Sequence, residues 1–175
     1  LPKGYQISQS TLPLVKLATL GLDGVKHQIQ RIHLEEDAGK LIHQAGASTS
    51  LVNFNRAGVP LVEMVTEPDF HSAEAAKRFC QELQRVMRSL EISDADMEKG
   101  QMRCEANISV APSNWPLATS KETDGQKPEA RSQKLGTKVE VKNINSFRAV
   151  ERAINYEYER QVELLNRGEL VVTET

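Results

Sequence analysis

Met102-Arg103-Cys104-Glu105-Ala106-Asn107-Ile108-Ser109-Val110 is the stretch that decides the fold class. Apolar and polar residues alternate along it without a break, the period of a strand with one buried and one wet face. Met102, Cys104, Ala106, Ile108 and Val110 share one face, and Arg103, Glu105, Asn107 and Ser109 share the other. Thr137 to Lys142 repeats the pattern, with Val139 and Val141 on one side and Lys138, Glu140 and Lys142 on the other. Between these two strands, residues 111–136 are rich in Pro, Ser, Thr, Lys and Glu, which predicts a flexible loop longer than a hairpin requires. Further upstream, Leu61 to Glu67 places Glu63 and Glu67 on one face if extended. Around Ile32 and Leu34, the opposite face holds Arg31, His33 and Glu35. Each strand is expected to bury its apolar face and present charge on the other.

Two long helices stand beside these strands. The first begins after Pro68-Asp69, with Ser72 as its N-cap and Ala76, Phe79, Leu83, Val86, Met87 and Leu90 at helical spacing. Glu74 near its start and Arg85 and Arg88 near its end complement the helix dipole. The second runs from about Phe147 to Arg167. Ser146 caps it, Phe147, Val150, Ile154, Tyr158 and Leu165 form its stripe, and Gly168 ends it. The predicted class is α+β: a mostly antiparallel sheet with two long helices on its apolar face.

The 175 residues suffice for one domain with a real core. Hydrophobic residues make up 39% and charged residues 26%, with a net charge of −2, an ordinary globular composition. That balance argues against gripping nucleic acid by net charge alone, though not against a local basic patch. No apolar run reaches the length of a membrane-spanning helix, which predicts no membrane partner and a cytoplasmic protein, or an organellar one in a eukaryote. Cys80 and Cys104 lie far apart without a metal-ligand spacing, so a disulfide framework or zinc knuckle is not expected. Cys104, on the apolar face, reads as a packing residue and not as a nucleophile.

The polar face of the predicted sheet holds the chemistry. Carboxylates (Glu35 or Glu36, Glu63, Glu105, Glu140) alternate there with cations (Arg31, Arg103, Lys138, Lys142). Convergent carboxylates suit Mg²⁺, a hard cation with oxygen ligands, and adjacent Lys and Arg suit the phosphates Mg²⁺ also holds. A solvated face on which opposite charges pair across strands is the commoner meaning of the same pattern. Gly58, Gly100 and Gly136 form no phosphate-cradling loop, and Ser8, Ser109 and Ser146 lack a nucleophile-elbow context. His27, His33, His43 and His71 lack zinc-protease spacing and read as surface or loop histidines. Glu35-Glu36-Asp37 before Gly39-Lys40 fits either an acidic turn or a loop reaching a metal.

A series of segments carries a more specific signal. Tyr5-Gln6-Ile7-Ser8-Gln9, Arg31-Ile32-His33-Leu34-Glu35-Glu36-Asp37-Ala38-Gly39-Lys40 and Asn55-Arg56-Ala57-Gly58-Val59-Pro60-Leu61-Val62-Glu63 stand in order. Glu67-Pro68-Asp69, Met97-Glu98-Lys99-Gly100-Gln101-Met102-Arg103-Cys104, Ala106-Asn107-Ile108-Ser109 and Glu140-Val141-Lys142-Asn143-Ile144-Asn145-Ser146 follow. Together they resemble the B-subunit family (GatB/GatE) of aspartyl/glutamyl-tRNA amidotransferases, over the whole chain except residues 10–28 and 111–136.

The resemblance implies a glutamine synthetase-like catalytic (cradle) domain that binds ATP and Mg²⁺. It implies phosphorylation of the side-chain carboxylate of mischarged Glu-tRNA(Gln) or Asp-tRNA(Asn). Ammonia released from glutamine by a separate A subunit then displaces the phosphate, and a small C subunit ties the complex together. The implied enzyme is a carbon–nitrogen ligase with glutamine as nitrogen donor. The alternatives are a non-catalytic tRNA- or subunit-docking module and a ligase acting on a free amino acid.

Carried over by position, Glu36 and Glu63 match the family's metal-binding carboxylates, with Glu140 a third and Glu35 a supporting acid. Arg103, Lys138 and Lys142 are candidates for phosphate contacts on sheet position and charge. Arg31, His33 and Asn107 complete the candidate nucleotide-binding set, and Glu105 joins Glu35, Arg103 and Lys138 as catalytic candidates. Glu63 interrupts the apolar run Leu61-Val62-Glu63-Met64-Val65, where a bound cation would offset the cost of a buried carboxylate. Where the family has Asp before Ala-Asn-Ile-Ser, this chain has Glu105, and the extra methylene points to an orienting role. The family's opening Glu-x-His strand and its helical and tail domains are not in this sequence, so residues 1–175 are expected to be a partial catalytic domain, inactive in isolation.

Overall fold

The computed structural model describes residues 7–43, 45–46, 48–111 and 136–174. The loop expected over 111–136 falls on residues outside that set, save its first and last positions. So does Tyr5-Gln6 of the opening motif. The elements run β1 (Val15–Leu22), β2 (Val25–Glu36), β3 (Lys40–His43), β4 (Ser50–Asn53), β5 (Pro60–Thr66), α1 (Ala73–Ser89), β6 (Cys104–Ile108), β7 (Val139–Ile144) and α2 (Phe147–Asn166). The class is α+β with antiparallel sheets and two long helices. The single sheet expected from the sequence is corrected: among the described residues the strands form three sheets, β1-β2-β5, β3-β4 and β6-β7. Alternation identifies a strand but does not name its hydrogen-bonding neighbour. The chain divides into two compact units, Leu1–Phe70 and His71–Thr175.

In the first unit, β2 is the central strand. A two-residue turn at Asp23-Gly24, both with positive φ, joins it to β1 with Leu22 opposite Val25. This backbone twist matches that of the flanking strands, and Asp-Gly is the pair that tolerates it. On its other edge β2 pairs with β5, placing His33 opposite Glu63 and Glu35 opposite Leu61. The short β3–β4 hairpin follows, with Leu41 opposite Val52. Asp37, at the end of β2, is buried and paired with Arg56 at 2.7 Å. Its backbone N–H donates to Val59 O and its carbonyl accepts from Gly58 N, so one residue ties the 54–59 turn to β2.

In the second unit α2 packs on a hairpin and α1 packs against α2, where the sequence led us to expect both helices on one sheet face. β6 and β7 pair antiparallel, with Asn107 opposite Glu140 and Ile108 opposite Val139. The register shifts between Cys104 and Ala106, where Asn143 adopts positive φ. Asn tolerates that region better than β-branched residues do. Both predicted N-caps are in place: Ser72 Oγ accepts from Ala75 N and Ser146 Oγ from Ala149 N, each at 3.1 Å. Gly168, at positive φ, follows the end of α2. The core centres on Met97, Ile144 and Val150, joined by Met102, Cys104, Ala106, Val141, Phe147, Ala153 and Ile154. Fully burying Val150 alone contributes about 1.5–3 kcal/mol.

One position of the α2 stripe is corrected. Tyr158 is 52% exposed, and the inward row continues from Val150 and Ile154 through Glu157 and Gln161, both buried. Gln161 is fully buried. Its side chain donates to Ile108 O at 3.1 Å and accepts from Val110 N at 3.0 Å, extending the hydrogen bonding of β6 beyond the strand. It also donates to Glu157 Oε1 at 2.7 Å, and Arg160 grips both Glu157 oxygens at 2.8 and 2.9 Å. Burial works to raise the Glu157 carboxyl, but the Arg160 and Gln161 hydrogen bonds with the Arg160 charge outweigh it and hold it below the ordinary value.

Candidate metal centre

β2 is where burial runs opposite to expectation. The polar row His27, Arg31, His33, Glu35 and Asp37 is the sheltered one, whereas Leu34 is 40% exposed and Val62 of β5 is 42% exposed. Several of these sheltered polar groups have an evident reason to be there. His27 stacks on Phe70 with ring centroids 4.2 Å apart, and its Nδ1 lies 3.1 Å from Asp69 Oδ1. Asp37 has Arg56. His27 and His33 are therefore core histidines, which corrects their reading as surface or loop residues. Burying a polar side chain is tolerated when it is paired.

His33 is the centre of the row, with 1% of its surface exposed. Its Nε2 lies 3.1 Å from Glu35 Oε1, two residues along the same face, and 3.9 Å from Glu63 Oε2 on the neighbouring strand. One ligand atom from each of His33, Glu35 and Glu63 falls within 4.8 Å of the others. Arg31 Nη2 stands 4.0 Å from Glu63 Oε1, and its Nη1 donates to Gln30. His33 Nδ1 and Arg31 Nε are buried without a hydrogen-bond partner among the described residues. Two carboxylates crowd a buried imidazole here, and a divalent cation would offset their negative charge. Two oxygen donors suit Mg²⁺; the imidazole nitrogen extends the set to softer ions such as Mn²⁺ or Zn²⁺.

Strand geometry brings these residues together. Residues i and i+2 share a face, so His33 and Glu35 point the same way, and antiparallel register sets Glu63 directly across from His33. Glu36 takes the other face by the same rule and does not join the cluster. It is exposed, lies opposite Pro60 and donates its backbone N–H to Ile7 O at 3.1 Å. A cleft lined by Ile7, Ser8, Gln9, Leu34, Glu35, Glu36, Gly58 and Pro60 runs alongside, about 480 Å³ in volume.

The other candidates form a second group on the β6–β7 hairpin. Glu105, Glu140 and Lys142 cluster there, Lys142 Nζ lying 3.4 Å from Glu140 and 3.7 Å from Glu105. The Glu105 charge first, and the Glu140 hydrogen bond next, hold the Lys142 ammonium above its ordinary value. Asn107 faces Glu140 across the ladder, and Arg103 and Lys138 are exposed just outside the strands. Here the charge-pairing reading of a polar sheet face describes the contacts directly.

Known proteins resemble this chain along its whole length. The family model described as the GatB/GatE catalytic domain matches residues 1–175. The chain is 46% identical over its whole length to the B subunit of an aspartyl/glutamyl-tRNA(Asn/Gln) amidotransferase from Gloeothece citriformis, covering 35% of that protein. It is 48% identical to the protein of the same name from Persephonella marina and 47% to that of Coprothermobacter proteolyticus, covering all of this chain and 34% of each relative. The chain thus spans about a third of the length of these curated relatives. A family match over residues 1–175 and this level of identity over the whole chain place it plainly: the chain belongs to the GatB/GatE catalytic-domain family.

Proposed function

We propose that this chain carries the carboxylate-activating part of a tRNA-dependent amidotransferase, in a glutamine synthetase-like catalytic domain. In this reading ATP phosphorylates the side-chain carboxylate of Glu-tRNA(Gln) or Asp-tRNA(Asn). Ammonia from a glutaminase (A) subunit then displaces the phosphate, with a C subunit completing the complex. The observation that carries it is the convergence of His33, Glu35 and Glu63 beside Arg31. His33, Glu35 and Glu63 would hold Mg²⁺, which would supply neutralisation of the negative charge on the nucleotide's phosphates. Arg31 adds a guanidinium suited to a phosphate oxygen, and the β2–β5 ladder fixes these groups in advance of binding. Glu36, on the face lining the adjacent cleft, is positioned to orient substrate and is not assigned to the ion.

The test uses the full-length protein with its partner subunits and the Glu63→Gln variant. ATP-dependent phosphorylation of Glu-tRNA is expected to fall by roughly two orders of magnitude, while tRNA binding is retained. Unchanged phosphorylation would remove Glu63 from the site. Unchanged phosphorylation in Glu35→Gln and His33→Ala as well would leave the docking-module reading in its place.

A further inference from the structure

The two cysteines are far apart in sequence and meet in space. Cys80 lies in the middle of α1, Cys104 opens β6, and their Sγ atoms are 3.7 Å apart with Cys80 donating to Cys104. Both are free and half-buried. This contact joins α1 to the first residue of β6. The reaction sequence proposed above uses neither thiol.

We propose that Cys80 and Cys104 form an oxidisable dithiol, a modification site that closes to an intramolecular disulfide when the protein meets a small hydroperoxide. The oxidant class follows from access: a half-buried pair admits hydrogen peroxide more readily than a bulky disulfide. Cys104 is the attacking sulfur. The hydrogen bond from Cys80 holds the Cys104 thiol below its ordinary value, whereas the same contact, together with burial, pushes Cys80 up. In the first step the Cys104 thiolate attacks one peroxide oxygen and the O–O bond breaks, leaving the Cys104 sulfenic acid and, after protonation, water. In the second step Cys80 Sγ attacks the sulfenic sulfur, and its proton leaves with the displaced hydroxide as a second water. Two thiols and one peroxide become one disulfide and two waters; the sulfurs lose two electrons and the peroxide gains them. Closure requires the sulfurs to approach from thiol contact to bonding distance, about 2.05 Å.

The disulfide would fasten α1 to the back of β6, the strand whose next residue, Glu105, meets Lys142 on the opposite face. A contact that serves packing alone predicts two thiols that survive peroxide or oxidise singly.

The experiment treats the intact protein with hydrogen peroxide at a level that fully oxidises free cysteine, then maps peptides without reduction by mass spectrometry. The expected product is a cross-linked pair containing Cys80 and Cys104, lighter by about 2 Da than the sum of the reduced peptides and released by dithiothreitol. In Cys80→Ser, which removes the resolving thiol, dimedone is expected to label Cys104. Recovery of both peptides as free thiols overturns the proposal, as does conversion of Cys104 to sulfinic acid in the unsubstituted protein without cross-linking. Dimedone labelling of Cys80 in preference to Cys104 in the unsubstituted protein reverses the assigned roles and overturns it equally.

Discussion

Replacing Gln161 by Leu tests the buried polar clamp that holds the end of β6. Leucine has nearly the same length and opens little cavity, so the change reads hydrogen bonding more than packing. Three bonds vanish: to Ile108 O, from Val110 N and to Glu157 Oε1. Leaving a buried donor or acceptor unsatisfied costs about 1–3 kcal/mol per group. Ile108 is buried and Val110 half-buried, so the first loss sits in the upper part of that range and the second near its foot. Glu157 keeps Arg160 and loses less. Against a total of about 4 kcal/mol, the added apolar surface returns about 1–2 kcal/mol. The net destabilisation is about 2–3 kcal/mol. Hydrogen exchange on the intact protein reads this locally. The Val110 amide and the β6 amides should exchange roughly 30- to 150-fold faster, since each 1.4 kcal/mol is about tenfold. Exchange within about twofold of the unsubstituted protein would refute the assignment of the clamp.

The Glu157 contribution also predicts a pH dependence. Its folded-state carboxyl lies below the ordinary value of 4.5, so its ion pair with Arg160 stabilises fully above that value and is lost as pH falls through the lower folded value. Unfolding followed from about pH 6 to about pH 3 should show an acid destabilisation that is smaller in Glu157→Gln, and parallel curves would count against the pair. Ser146→Ala removes the cap of α2 and should cost about 1 kcal/mol, with Ser146→Gly less damaging, measured by urea unfolding.

The elements were legible because their signals are local. Serine at 72 and 146 caps a helix by bonding an amide three residues on. Strict alternation from Met102 to Val110 marks a strand, which forms over Cys104–Ile108 with Glu105 and Asn107 exposed. β1, β3 and β4 stand outside the sequence expectations, although positive φ at Asp23 and Gly24 fixes the β1–β2 hairpin by an equally local signal. Tyr158 is aromatic but lies off the inward row of α2, whose helical period runs from Ile154 through Glu157 to Gln161. Glu157 and Gln161 lie on the inward row and are buried because they satisfy one another and the end of β6.

The site divides along the same line. Sequence by itself determined the family, the strand bearing His33 and Glu35, and the oddity of Glu63 within an apolar run. Only the tertiary structure decided that Glu63 lies across from His33, that Glu36 turns to the other face, and that the hairpin charges pair among themselves. It alone brought Cys80 to Cys104. The physical reason is range. Caps, turns and alternation are set within a few residues. Strand partners, the sheltered face of β2 and thiol contacts depend on register and packing between segments tens of residues apart, which no local pattern encodes.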